Sequence, residues 1–172
     1  VMEEFRKRYP GFKILLTFFS PSGYEIRKNY PGADWVFYLP LDTAKNADKF
    51  IGIVRPSVAF FVKYEFWYHY LHTLKTRNIP TFVFSAIFRD NQYFFKWYGK
   101  WFQPILKDIT GIFVQDKSSI MHLQAIGCTN TIYSGDTRFD RVVQVARAQK
   151  HFPVVEAFVK GSKILVAGST WP

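Results

Sequence analysis

The 172-residue sequence contains one cysteine, Cys128, which excludes a disulfide framework and any multi-cysteine zinc site. Its apolar runs, such as Val58–Val62, fall far short of the roughly 20 residues a membrane-spanning helix needs. Val1–Pro10 is polar and charged rather than apolar, so no secretory signal is read there. Neither GxGxxG nor a P-loop lysine occurs, which argues against classical dinucleotide or P-loop binding. The histidines His69, His72, His122 and His151 make no HxH or HExxH pattern. No metal and no cofactor are therefore expected. Only 21% of residues are charged and 48% are apolar, which excludes a disordered chain and allows a sizeable core.

Basic and aromatic residues are abundant instead. The net charge is +10, and the chain holds 19 Phe, 10 Tyr and 5 Trp. Such a basic protein meets anions: nucleic acid, phosphorylated small molecules or an anionic membrane surface. Residues 51–110 carry 8 Lys and Arg against 3 Asp and Glu, and they also hold the densest aromatic cluster. Charge and aromatics coincide there.

Short apolar runs alternate with longer amphipathic stretches. The runs Lys13–Phe18, Trp35–Leu39, Ser57–Val62, Thr81–Ser85, Gly111–Val114, Thr131–Tyr133 and Lys163–Ala167 read as strands covered on both faces. Helices are expected over Met2–Tyr9, Ser22–Asn29, Thr43–Val54, Glu65–Asn78, Asn91–Asp108, Lys117–Ile126 and Val142–Gln149, with another opening at Pro153. Asp116 is placed as an N-cap and Gly127 as a left-handed C′ residue. The rhythm predicts an α/β fold, a Rossmann-like parallel sheet with helices on both faces. Its ligand loops belong at the carboxyl ends of the strands.

Four such places carry chemistry. Ser20, Ser22 and Gly23 open a helix after the first strand, where hydroxyls and backbone N–H groups suit a phosphate or a sugar hydroxyl; a plain capped helix start is the alternative. Glu65, in Lys63-Tyr64-Glu65-Phe66-Trp67, offers a carboxylate for a sugar hydroxyl, or simply a surface pair with Lys63. Phe88–Phe102 packs eight aromatics among fifteen residues with Arg89, Lys96 and Lys100 interleaved. Phe94, Trp97, Tyr98 and Trp101 recur there at helical spacing, which reads as an amphipathic surface for acyl chains, a base-stacking platform or an aromatic core helix. Gly135, Asp136, Arg138 and Asp140 sit in the polar segment Ser134–Asp140, either a ligand loop or a tight turn.

In order and spacing these segments resemble the bacterial 3-deoxy-D-manno-octulosonic acid (Kdo) transferases of lipopolysaccharide synthesis. Ser20-Pro21-Ser22-Gly23 is similar to that family's Thr/Ser-Pro-Thr-Gly segment, and Glu65-Phe66-Trp67 to the end of its Glu-Thr-Glu-Leu-Trp motif. Gln115-Asp116 resembles its Gln-Ser/Asp step, Gly135–Asp140 its Gly-Asn-Leu-Lys-Phe-Asp loop, and Ala167-Gly168-Ser169-Thr170 the Ala-Gly-Ser-Thr that begins the second domain. The resemblance implies a GT-B glycosyltransferase. Residues 1–160 would be its N-terminal acceptor domain, lacking its first part, and residues 161–172 the start of its donor domain.

It further implies transfer of Kdo from CMP-Kdo to a phosphorylated lipid A precursor at the cytoplasmic face of the bacterial inner membrane. Acceptor contacts would come from Ser20, Ser22, Gly23, Glu65, Arg89, Lys96, Trp97 and Lys100. Gly135, Asp136, Arg138 and Asp140 would form a ligand loop, and Gly168, Ser169 and Thr170 would approach the donor phosphate. The family's general base lies in a Gly-Glu loop upstream of Val1, so the fragment alone would be inactive. The sequence departs from the family at Lys63, in place of the first Glu of Glu-Thr-Glu, at Ile87, in place of the Arg of Asn-Ala-Arg, and at Trp171, in place of a His. A nucleotide-sugar epimerase of similar fold and a basic, aromatic nucleic-acid module are the alternatives. The second ranks last for want of an RNA-recognition motif, so no nucleic-acid partner is expected.

Overall fold

Each of the first six apolar runs forms a strand: β1 (Leu15–Phe18), β2 (Trp35–Tyr38), β3 (Ala59–Val62), β4 (Thr81–Ala86), β5 (Gly111–Val114) and β6 (Thr131–Tyr133). The computed structural model describes residues 2–136, 138–148 and 152–159, with Gly161 and Leu165. The seventh run, Lys163–Ala167, falls almost wholly outside the described residues. Every pairing is parallel, and the ladders form two sheets, β1–β2 and β3–β4–β5–β6. Helices α1 (Met2–Arg8), α2 (Pro21–Arg27), α3 (Ala44–Val54), α4 (Tyr68–Thr76), α5 (Gln103–Asp108) and α6 (Lys117–Ala125) alternate with the strands. This is a mixed α/β fold of parallel strands flanked by helices. All of it lies in one compact unit, Val1–Gly135; a second unit, Asp136–Pro172, holds α7 (Arg138–Arg147) and α8 (Pro153–Val159).

Sequence chemistry explains the helix ends. Asp116 caps α6 by accepting from the Ser119 N–H at 2.7 Å. Gly127, at φ +80, closes that helix: its N–H reaches Gln124 O and the Cys128 N–H reaches Leu123 O, the paired bonds of a Schellman motif. Asn78, at φ 54, closes α4 in the same way, with Asn78 N–H to Lys75 O and Ile79 N–H to Leu74 O. Thr43 caps α3 through the Asn46 N–H.

Four expectations are corrected. Coverage on both faces holds for β4 and β5, but β2 and β3 leave Trp35, Phe37, Phe60 and Val62 exposed. The helix expected from Glu65 starts at Tyr68, because Lys63 turns left-handed at φ 62 and the chain reverses before α4. Residues 91–108 form no single helix: 3₁₀ turns at Tyr93–Phe95 and Trp97–Phe102 precede α5, with Lys96 extended between them at φ −88, ψ 155. Finally, α7 starts at Arg138 rather than Val142, so Arg138 and Asp140 belong to its first turn and not to a polar loop. The Asp136 carboxylate accepts from the Arg138 N–H at 2.9 Å and so initiates that helix early.

The main core lies along β4 and β5, with Val83, Ala86, Ile112 and Val114 fully buried together with Leu106 and Leu123. A second cluster joins Ala47 and Ile51 of α3 to Tyr70 and Leu74 of α4. Cys128 is fully buried in the main core, and burial pushes its thiol up to about 11 despite nearby Lys107. The folded thiol therefore stays protonated where the unfolded one, near 9, ionises. Stability contributed by this group is complete below about pH 9 and is lost as pH rises through about 11. Urea titrations should show about 1 kcal/mol lost between pH 8 and pH 10, less in Cys128→Ala, and native protein at pH 8 should resist thiol alkylation.

Candidate functional site

Parallel strands bring the β1, β3, β4, β5 and β6 exits to one rim. After β1, Ser20 is the N-cap of α2, and its hydroxyl meets that of Ser22 at 2.7 Å rather than a backbone N–H. Gly23 lies against the Phe18 ring, where an added Cβ would come within 2.8 Å of it; this lets α2 sit close on β1. After β3, Glu65 is exposed, and its Oε2 accepts from the Trp67 indole N–H at 2.6 Å. Glu65 is thus held by Trp67 rather than by Lys63. The Trp67 ring also packs on Phe19, with centroids 4.7 Å apart, and so joins the Ser20 loop to the Glu65 loop.

Asp42 fixes the other side of the Glu65 loop. Its carboxylate accepts from the His69 N–H at 3.1 Å and the Tyr70 N–H at 3.2 Å, capping α4 from far along the chain. The Tyr70 hydroxyl donates to Pro40 O at 3.0 Å, and burial pushes it up to about 12. The bond to Pro40 fixes the β2 exit to the start of α4.

At β4 the ladder shifts register between Val83 and Ala86, and Ser85 is left-handed at φ 55. Such a bulge redirects the strand exit. Gln115 holds it from β5: its side-chain amide donates to Ser85 O at 2.9 Å and its backbone N–H to Ala86 O at 3.0 Å. The buried Ser119 hydroxyl accepts from the Phe88 N–H at 2.7 Å and steadies the turn beyond. Asp116 keeps its charge nearby: burial opposes ionisation, but bonds from Ser118 and Ser119 hold the carboxyl below its ordinary value.

The aromatic segment divides by residue type. Phe88, Phe94 and Phe102 are buried, while Trp97 (82% exposed), Tyr98 and Trp101 face solvent with Lys100. Lys96 is half-buried and Arg89 exposed, and no ion pair forms at Arg89, Lys96 or Lys100 among the described residues. The segment is thus divided, without forming one helix, between buried phenylalanines and exposed Trp97, Tyr98 and Trp101. Phe66, beside Glu65, packs on Phe88 and Phe94 at 5.3 Å each, and Tyr68 packs on Trp101 at 5.1 Å. The consecutive residues Phe66, Trp67 and Tyr68 therefore face two aromatic groups, Trp67 that of the Ser20 loop and Phe66 and Tyr68 that of Phe88, Phe94 and Trp101.

In the second unit, Arg138 is ion-paired with Asp136 (Nε to Oδ2, 2.7 Å), Gly135 just before it is left-handed at φ +71, and Asp140 is exposed. Gly168, Ser169 and Thr170 lie outside the described residues, as does Thr137. Among the described residues no group of three or more His, Cys, Asp and Glu is placed to hold a metal, and no helix is long and apolar enough to cross a membrane. A cleft of about 190 Å³ opens at the opposite, amino end of β4 and β5, between Leu71, Asn78, Pro80, Thr81, Ile105 and Thr110. It is remote from the rim. Sequence reasoning missed Asp42, Trp67, Gln115 and Ser119 as organisers; Gln115 stood within a motif, whereas Asp42 acts across 27 residues.

Parallel strands flanked by helices, with hydroxyls, one oriented carboxylate and a basic, aromatic surface at the strand exits, are consistent with a Rossmann-like glycosyltransferase N-terminal domain. The family described as "3-Deoxy-D-manno-octulosonic-acid transferase (kdotransferase)" matches residues 1–141, and the chain belongs to that family. It is similar to the 3-deoxy-D-manno-octulosonic acid transferase of Haemophilus influenzae, 30% identical over 87 residues, half of this chain and 20% of that protein. It is also similar to the enzyme of the same name from Rickettsia felis, 24% identical over 169 residues, 96% of this chain and 36% of that protein. The matches thus span 20% of the length of the first relative and 36% of the second.

Proposed function

We propose that the intact protein transfers Kdo from CMP-Kdo to a phosphorylated lipid A precursor, and that this chain supplies most of its acceptor-binding domain. The observation that carries the proposal is the oriented Glu65 on the rim of a domain whose family match covers residues 1–141. In the reaction an acceptor hydroxyl oxygen attacks the anomeric carbon of Kdo as the bond from that carbon to the phosphate oxygen breaks. CMP leaves with the bonding pair, and the hydroxyl proton passes to a general base upstream of Val1. Glu65 and the Ser20–Ser22 hydroxyls bind and orient the sugar part of the acceptor, with Gly23 allowing close approach. Arg89, Lys96 and Lys100 meet its phosphates, and Trp97 lies along its acyl chains at the cytoplasmic face of the inner membrane. Gly135 and Asp136, with Arg138 and Asp140 of the first turn of α7, contact a ligand, and Gly168, Ser169 and Thr170 bind the donor. Residues 1–160 then form the acceptor domain and residues 161–172 begin the donor domain of a GT-B enzyme.

The test is incubation of the intact protein with CMP-Kdo and the lipid precursor, followed by CMP release and the mass of the lipid. CMP release matched by addition of Kdo to the lipid is expected. Turnover of UDP-sugars without lipid would favour the epimerase. Salt-sensitive binding of single-stranded DNA with no transfer would favour the nucleic-acid module.

A further inference from the structure

Among the described residues, four that are not glycine adopt a positive φ: Arg55 at 45, Lys63 at 62, Asn78 at 54 and Ser85 at 55. Each carries a conformational cost, because only Gly, and to a lesser degree Asn and Asp, enter the left-handed region readily. The fold accounts for three of them. Arg55 and Asn78 close α3 and α4, with their N–H groups on Ile51 O and Lys75 O. Ser85 lies in the β4 irregularity that Gln115 holds. Lys63 closes no helix and sits in no bulge. It follows Val62, which pairs with Phe84 of β4, and its N–H reaches Phe84 O at 2.8 Å. Gly or Asn would reverse the chain there at lower cost. A long cationic side chain adds nothing to the reversal.

The charge of Lys63 has no local use either. The residue is exposed, and it makes no ion pair among the described residues. Glu65, two residues on, is held by the Trp67 indole instead, and the Phe66 N–H bond to Tyr64 O at 2.9 Å tightens the chain around it. Asp116, at the β5 exit, is committed to the Ser118 hydroxyl and the Ser119 N–H. A cation thus stands at a strained strand exit beside an oriented carboxylate, and the two do not neutralise each other. Strain kept where a strand opens onto a ligand rim is a mark of function. We infer that Lys63 is a specificity-determining residue that binds a phosphate of the acceptor, while Glu65 on the same loop takes a sugar hydroxyl. The inference rests on the acceptor reading of this rim. Lys63 is the one basic residue of Lys63–Trp67, so it brings positive charge to the Glu65 loop itself. A lysine ammonium meets phosphate as a point charge with three rotatable donors, which suits a single cation on an exposed turn.

Acceptor kinetics of the intact protein test it, with the phosphorylated lipid precursor and its dephosphorylated form compared at saturating CMP-Kdo. Dephosphorylation should lower kcat/KM of the native protein about tenfold more than that of Lys63→Asn. Lys63→Arg, which keeps the charge, should stay within about threefold of the native discrimination. Thermal melting supplies a second readout. Asn tolerates the left-handed turn, so Lys63→Asn should melt at or above the native temperature, whereas a lysine kept for the fold would leave a variant that melts lower. Equal discrimination by the native protein and Lys63→Asn, or a lower melting temperature for that variant, would overturn the role of Lys63 alone. Absence of Kdo transfer by the native protein would instead remove the acceptor reading, and this inference with it.

Discussion

Gly99→Ala is expected to destabilise the protein by about 3 kcal/mol and to lower its melting temperature by about 6–12 °C. A Cβ on Gly99 would overlap the Tyr93 carbonyl oxygen and lie 2.5 Å from its carbonyl carbon. Both are backbone atoms, so no side-chain rotation relieves the clash. The strain falls on the reversal that folds the second 3₁₀ turn back on the first, where the Gln103 side chain also donates to Phe94 O at 2.8 Å. Burial pushes the Tyr93 hydroxyl up to about 12 in the native fold. Opening the reversal should return it toward the ordinary value of 10, which ultraviolet titration of the variant can follow. A melting temperature within about 2 °C of the native one would show that the segment has no such latch.

Neighbouring aromatics should respond in opposite ways. Phe102, 2% exposed, packs on Phe94 and Tyr68, and Phe102→Ala should cost about 3–5 kcal/mol. Trp97 makes its ring contact with Tyr98 at the surface, and Trp97→Ala should change stability by no more than about 0.5 kcal/mol. In the intact protein, Trp97→Ala combined with Lys100→Gln should instead weaken binding to anionic vesicles about fivefold to tenfold. Denaturant titration and vesicle sedimentation of the same variants separate the two effects. Equal destabilisation by Phe102→Ala and Trp97→Ala would contradict the division of this segment into core and surface.

That division marks the limit of the sequence. Apolar runs bounded by Pro, Gly and Asn located all six described strands, and β5 and β6 match residue for residue, because short parallel strands carry a local signature. Asp116, Gly127 and Asn78 were legible as helix ends for the same reason. The segment 91–108 misled because aromatics at positions 94, 97, 98 and 101 imitate a helical stripe, while the Gly99 latch that breaks it depends on a contact with Tyr93. The start of α4 was equally hidden, since Asp42 caps it from another loop. The division of the strands into two ladders has no local signature at all. Of the site, Ser20, Gly23 and Glu65 could be picked from the sequence, but the Trp67 bridge that aligns Glu65 with the Ser20 loop required tertiary structure.

The most direct measurement is initial-rate kinetics of the proposed Kdo transfer by the intact protein with Glu65→Gln, varying the proposed lipid acceptor at saturating CMP-Kdo. A fall of about tenfold to a hundredfold in kcat/KM for the acceptor is expected, with KM for CMP-Kdo unchanged. Trp67→Phe, which keeps a ring against Phe19 but removes the indole donor, should show a smaller fall of the same kind. Native acceptor kinetics in Glu65→Gln, or a loss confined to CMP-Kdo, would contradict the assignment of this rim to the acceptor.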